Sequence, residues 1–492
     1  MREATARTLL AGRRAPGPAT RAGAALPRAA AAVAVAVLSV VGGLAVSRGA
    51  FVPLAVASLL VLYGMLLLAR PTLGLLAYVA VRPAFEPWVR TDLAGASLGE
   101  LWGAGLLVSV LAYLTLTPAP ARPAQPRYTV PFAFLATYLA LTLWRANAGF
   151  AVTSTIKAAS WILLALAAER IARTATGQRR VLVAGCVMAT LTLGAIAFAI
   201  ARDQYGAAYY IDDSFAGGSQ TVHGYVGLAV LVLPLLLVAL LQNRRTVLTS
   251  LVVAGLCIGI VMSYVRTGYV ALAVVIAGFT ALGMRRRRPY ILVSAAVGTV
   301  AIVVTFAVLG DAASGRLNDL ANLTGAGAGA AQDAGSGRIG FWTAITQTTF
   351  DSVPLLLIGG GALASEDITT RVLADTAWAH NDFLEMLATG GLTLLLCYLA
   401  LLAWLYRSFW LLARDPRQSQ AARDVGVIGL LAAGAFTVVA TFNGVVTTPV
   451  AAFALLLGLA RGMSATPGRT FLDEDGGRPP QRPPVASTST RA

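Results

Sequence analysis

A series of apolar runs, each about twenty residues long, recurs from Ala29 to Ala460 and leaves little room for anything else. A helix needs about 20 apolar residues to cross the hydrocarbon core of a bilayer. The expectation is therefore an all-α polytopic membrane protein. The 57% hydrophobic and 12% charged composition agrees, because soluble domains carry roughly twice that charged fraction. The runs lie near 29–47, 50–69, 71–81, 99–117, 129–145, 151–168, 181–201, 222–241, 247–264, 267–284, 289–309, 383–406, 424–441 and 446–461. That is about fourteen transmembrane helices, the third short enough to be a half-span.

Charge placement orients these spans. The formal net charge is +16, but its arginines are spread over many short loops, which argues against nucleic-acid binding. With the N-terminus inside, one face collects Arg2 to Arg28, Arg170 to Arg180, Arg244-Arg245, Arg285 to Arg288, Arg407 to Arg423 and the tail after Arg461. This is the positive-inside pattern. It divides the chain into a cytoplasmic basic tail (1–28), eleven spans (29–309), an extracytoplasmic loop (310–379), three spans (380–461) and a disordered cytoplasmic tail (462–492). The first 28 residues read as a retained tail rather than a cleaved signal, since many spans follow. The last segment is rich in Pro, Gly, Ser and Arg, a composition that does not bury a core.

The long outer loop ends in the most distinctive stretch of the chain. Ser336-Gly337-Arg338, Trp342, Gly359-Gly360-Gly361, His380-Asn381 and Gly390-Gly391 follow one another there. Arg338 to Ile345 reads as a short amphipathic helix whose Trp and Phe suit the membrane interface. Loops of this length in compact proteins are usually functional or disordered. His380, one of two histidines in the chain, stands between loop and span, where an imidazole suits a general base or a phosphate partner. The plain reading of such a residue is an interfacial or capping histidine.

Other residues suit an anion. Arg266 sits in the turn Ser263-Tyr264-Val265-Arg266-Thr267-Gly268-Tyr269 between two spans, where a guanidinium is costly unless it meets a partner or snorkels to water. Its planar fork matches a diphosphate. Arg338 follows small residues that let a ligand approach. Arg82 and Arg145 lie at outer span ends, where an arginine is often merely interfacial. Lys157 is the single lysine and lies inside a span. His223 opens a span after a loop holding Asp212-Asp213 and Tyr205, Tyr209 and Tyr210, residues that hold sugars or are simply hydrated. The three cysteines lie in apolar runs without a CxxC pair and read as packing residues. No metal-ligand spacing appears, nor a phosphate-binding loop; no metal and no cofactor is expected.

The turn around Arg266 and the ordered set Ser336-Gly337-Arg338, Trp342, Gly359-Gly360-Gly361, His380-Asn381 and Gly390-Gly391 resemble the O-antigen ligase and O-antigen polymerase superfamily over roughly residues 220 to 410. Val265, between Ser263 and Arg266, departs from the tighter form of that turn. The resemblance implies a C-type membrane glycosyltransferase fold. It implies metal-independent, inverting transfer of a glycan from a polyprenyl-diphosphate carrier, typically undecaprenyl, to a glycan, lipid or protein hydroxyl. The site would face outward from a bacterial cytoplasmic membrane, among membrane lipids. Under it, His380, Arg266 and Arg338 are the catalytic candidates. Lys157, Arg82, Arg145, Asn381, Trp342 and His223 are the substrate-binding candidates. A lipid-linked glycan flippase is the alternative, but transporters usually show paired repeats and none is visible here.

Overall fold

The computed structural model describes residues 61–88, 92–93, 96–118, 128–143, 148–201, 222–241, 246–263, 265–286, 289–309, 338–373, 379–442 and 450–466. The two tails, the spans placed at 29–47 and 50–60, and the loop residues 310–337 lie outside them. By its internal contacts the chain forms two compact units, residues 1–75 with 112–118, and residues 76–111 with 119–492. In the first, the described residues form helical backbone whose ladder runs from Arg70 N to Leu66 O and from Gly74 N to Arg70 O. The second holds everything discussed below.

The described elements are helical apart from a two-residue antiparallel ladder, β1 (Asp92–Leu93) with β2 (Ala96–Ser97). The helices are α1 (Pro71–Val81), α2 (Leu98–Leu116), α3 (Thr129–Leu143), α4 (Ala148–Ile171), α5 (Ala175–Ala201), α6 (Val222–Leu240), α7 (Thr246–Met262), α8 (Arg266–Arg286) and α9 (Pro289–Leu309). They continue with α10 (Arg338–Phe350), α11 (Val353–Ile358), α12 (Ala364–Leu373), α13 (Asp382–Arg414), α14 (Gln420–Phe442) and α15 (Ala451–Ser464). A 3₁₀ turn, Arg82–Trp88, follows α1, so the short third run ends in a tight turn. Five of the described helices are long and apolar enough to cross a membrane: 99–116, 152–171, 266–285, 382–414 and 420–442.

Apolar side chains face outward as well as inward. Val293, Val300, Val303 and Val304 on α9 are all more than half exposed, the arrangement expected where lipid replaces water. Inside, small residues let helices close. Gly458 and Gly462 of α15 stand four apart, and a Cβ on the first would collide with Ala168 of α4 and one on the second with Ala172, just past its end. This is the small-xxx-small contact of membrane helices, and α4 and α15 are the most closely packed pair. Arg461, buried at 2% exposure, donates to Glu169 Oε2 on α4 at 2.7 Å. Its guanidinium lies 4.6 Å from the Tyr128 ring and 4.9 Å from that of Trp404, which joins α4, α13 and α15 at one end of the bundle.

The described part of the segment between α9 and α13 holds more helix than expected. Where the sequence suggests one short helix from Arg338 to Ile345, three are present, and α10 extends to Phe350. α10 and α12 form because they bury Ala344, Ile345, Ala364 and Ile368 in a small core shared with Ala379 and with Ala388 of α13.

Candidate active site

The site is built where α10 meets the start of α13. Asn381 caps α13: its side-chain oxygen accepts from the amides of Phe383 at 2.9 Å and Leu384 at 3.1 Å. Asp382 and Glu385 in the first turn match the positive end of the helix dipole. His380 stands just outside the cap with φ 49°. A left-handed backbone is costly for a residue with a Cβ and persists only where its surroundings enforce it. They do so from both sides. Ala379 is buried in the loop's core, and Trp342 Nε1 donates to its carbonyl oxygen at 2.7 Å. Trp342 is thus half-buried and committed to this bond.

Arg338 lies one turn before Trp342 on α10, and the two share a face. Its Nη1 donates to the carbonyl of Phe442 at 2.6 Å, while the Trp342 and Phe442 rings are 6.2 Å apart. Both residues therefore tie α10 to the end of α14. Burial, and then the positive charge of Arg338, push the His380 imidazole down to about 4. The ring is therefore neutral at pH 7.

The glycine runs explain how α13 begins so close to the loop. α13 is broken at Gly390 and Gly391, whose backbones are non-helical. The break releases the carbonyls of Ala388 and Thr389, which accept from Gly360 N at 2.7 Å and Gly361 N at 2.9 Å. Thr393 Oγ1 also donates to Leu357 O at 2.8 Å. Gly359 and Gly391 both have positive φ. A Cβ on Gly359 would collide with the backbone of Thr389 and Gly390, and one on Gly391 with that of Leu357 and Ile358. Only glycine allows α11 to lie backbone-to-backbone on the broken helix.

One residue of this site was not singled out in the sequence. The Glu385 carboxylate accepts from Ser365 Oγ at 2.7 Å and Thr389 Oγ1 at 3.3 Å, and from the Ala379 amide. It thus braces the residue before His380. The signal was present: Asn381, Glu385 and Thr389 are four apart, a polar stripe entering an otherwise apolar run.

The other candidates sit on other elements. Arg266 is the first residue of α8, and α8 packs chiefly against α6, α7, α9 and α14. The turn before it is clamped: Ser263 Oγ accepts from Val265 N at 3.3 Å, and Tyr269 OH donates to Val261 O at 2.8 Å. Val265 serves the turn, since its carbonyl accepts from Gly268 N at 2.8 Å. Arg82 and Lys157 line one pocket together with Trp102, Ser160 and Trp161. His223 lies in the first turn of α6, and Arg145 lies outside the described residues.

No curated protein matches the chain. The family model described as O-antigen ligase matches residues 251–399. That span runs from α7 and the Arg266 turn, through Arg338, Trp342, the glycine runs and His380, into α13. The broken helix, the neutral histidine beside an arginine, and the clamped Arg266 turn all fall within it. The chain has helices apolar enough to cross a membrane, and its residues 251–399 are similar to the O-antigen ligase family.

Proposed function

We propose that this chain transfers a glycan from a polyprenyl-diphosphate carrier to an acceptor hydroxyl at the outer face of a bacterial membrane, without a metal and with inversion. The observation that carries this reading is the placing of His380, fixed with a left-handed backbone between the Trp342-bonded Ala379 and the Asn381 cap of α13 and within the field of Arg338. The acceptor oxygen attacks the anomeric carbon as its proton passes to His380. The bond from that carbon to the diphosphate oxygen breaks, and the electron pair leaves on the phosphate. Attack opposite the leaving group inverts the centre. Arg338 and Arg266 supply the positive charge that the leaving diphosphate needs. Arg266 at a helix start adds its guanidinium to the amides already pointing there, an arrangement that suits an anion. A diphosphate near Arg338 also offsets the charge that depresses His380, and so makes the imidazole a stronger base once the donor is bound.

The test is transfer from a lipid-diphosphate-linked oligosaccharide in proteoliposomes, comparing the native chain with His380→Ala. Lengthening of the lipid-linked glycan in the native chain alone indicates a polymerase, and donor loss only with an added second acceptor indicates a ligase. Equal transfer by His380→Ala sinks the assignment. A second reading draws on the break in α13, since discontinuous helices build transporter sites. Movement of intact lipid-linked glycan across the bilayer, unchanged in His380→Ala, would establish a flippase instead.

A further inference from the structure

α11 is six residues long and apolar throughout, yet none of its side chains is buried. Val353 and Leu357 are at least half exposed, and so is Phe350 just before them. A helix this short is marginal in water, and an open apolar patch there is costly. Its depth accounts for both. Thr393 Oγ1 donates to the Leu357 carbonyl at 2.8 Å, so the end of α11 lies level with Thr393 of α13. Thr393, Leu396, Ala400, Ala403 and Arg407 of α13 are all exposed, and their spacing puts them on one face. Leu396 in this stripe is 62% exposed. Arg407 marks where the stripe leaves hydrocarbon, because a cation facing acyl chains is costly. From Arg407 back to Thr393 the helix rises about 21 Å at 1.5 Å per residue, and tilting shortens that rise. The hydrocarbon core is about 30 Å thick. Thr393, and Leu357 with it, therefore lies at least about 9 Å inside the hydrocarbon boundary on the His380 side.

The polar groups around α11 fit that depth. Asp351, exposed before its N-terminus, keeps its charge in water only if α11 points inward from there; the six residues of α11 span about 9 Å. Pro354 in the first turn removes one of the amides that lack a helical partner. At the far end, Gly360 N and Gly361 N are met by the carbonyls of Ala388 and Thr389, as a turn without water requires. α12 then climbs out. Its Ser365 Oγ reaches Glu385, about 12 Å nearer the His380 end than Thr393, which returns Asp367 to water. We propose that α10 to α12 form a re-entrant hairpin: α11 and Gly359–Gly361 dip into the bilayer, and acyl chains of the leaflet nearer His380 cover Val353, Leu357 and Ile358. The sequence reading places all of 310–379 outside hydrocarbon, and this segment is the exception. The bilayer is then a partner that holds α11 against the break in α13. The proposal does not rest on glycan transfer, because the position of α11 is read with neither donor nor acceptor present.

The experiment places a bimane on Leu357→Cys or Ile358→Cys of the full chain in phosphatidylcholine nanodiscs, with Cys186, Cys257 and Cys397 replaced by alanine. Two quenchers are compared: phosphatidylcholine with a nitroxide on its acyl chain, and iodide in the water. Leu396→Cys on the exposed stripe of α13 and Asp367→Cys on α12 are the references. Labels on α11 are expected to follow Leu396, with iodide quenching about fivefold weaker than at Asp367, since hydrocarbon excludes the anion, and nitroxide quenching correspondingly stronger. Iodide quenching equal to that at Asp367 overturns the proposal. So does a label that neither quencher reaches, which means that protein, such as a second copy of the chain, covers this face. If the cysteine variants do not fold, the native chain in the same nanodiscs is oxidised by hydroxyl radicals and its peptides are read by mass spectrometry. Oxidation of Leu355 to Ile358 as low as that of Leu396 supports the hairpin, and oxidation as high as that of Val372 and Leu373 at the end of α12 overturns it.

Discussion

His380, the base in the proposed transfer, also carries a left-handed backbone. Its imidazole is pushed from 6.5 to about 4, so the folded protein resists charging it. The neutral form is the one folding favours. Its contribution to stability is therefore complete above about pH 6.5 and is lost as the pH falls toward 4. The acid limb of kcat/KM, which reports the free enzyme, is expected well below 6.5. Arg338→Gln should move that limb upward by removing a depressing charge, while lowering turnover about 10²-fold through loss of leaving-group stabilisation. An acid limb that stays put in this variant would separate Arg338 from His380. Trp342→Phe keeps the ring but drops the bond to the Ala379 carbonyl. A cost near 1 kcal/mol in stability, read from thermal unfolding in detergent, is expected together with a larger loss of turnover, because the backbone of His380 then relaxes. His380, Arg338 and Trp342 were all visible in the sequence as unusual residues in an apolar chain. Their convergence was not, because it depends on a left-handed backbone and on a loop core made of alanines with no distinguishing pattern.

At the scale of elements, the loop and α13 are one construction. The sequence reading took 383–406 as an unbroken span, whereas α13 is interrupted at Gly390-Gly391 and its released carbonyls are paired by α11. Irregular backbone at membrane depth is tolerated only when such partners exist. Gly391→Ala combines a positive φ with a collision against the α11 backbone. It should cost several kcal/mol, as strain and overpacking each contribute about 1–3. Gly340→Ala, where no atom lies within 4 Å of the added carbon, should be neutral or slightly stabilising on helix propensity. The measurement is the unfolding midpoint of the two variants side by side, and equal midpoints would mean that the clasp does not hold α13. Glu385→Gln keeps the size and one acceptor, and Glu385→Ala leaves Ser365 and Thr389 unmet. If Glu385 positions rather than reacts, turnover falls more in the alanine variant, with the acid limb of the pH profile unmoved in the glutamine one.

At the scale of the molecule, the two ends of the bundle have different work. One holds His380 at the start of α13. The other is fastened by Arg461, Glu169, Tyr128 and Trp404, with Arg173 Nη2 also donating to Glu169 at 3.0 Å. Breaking a buried pair on one side strands a charge and costs about 3–5 kcal/mol, while removing both sides costs far less. Arg461→Met should therefore lower the yield of folded protein sharply, and Arg461→Met with Glu169→Leu should recover most of it; a double variant as poor as the single would show that the pair does more than satisfy itself. The sequence alone determined the helical, membrane-protein class of fold, because hydrocarbon permits few alternatives to an apolar helix and twenty apolar residues announce one. It also marked the residues that do not belong in such a chain. Which of them meet was decided only by the tertiary structure. The helix break at Gly390, the turn of His380 out of the cap, and the pairing of Arg82 with Lys157 across separate helices depend on backbone approaches between segments far apart in the chain. Hydropathy, being local, carries no record of them.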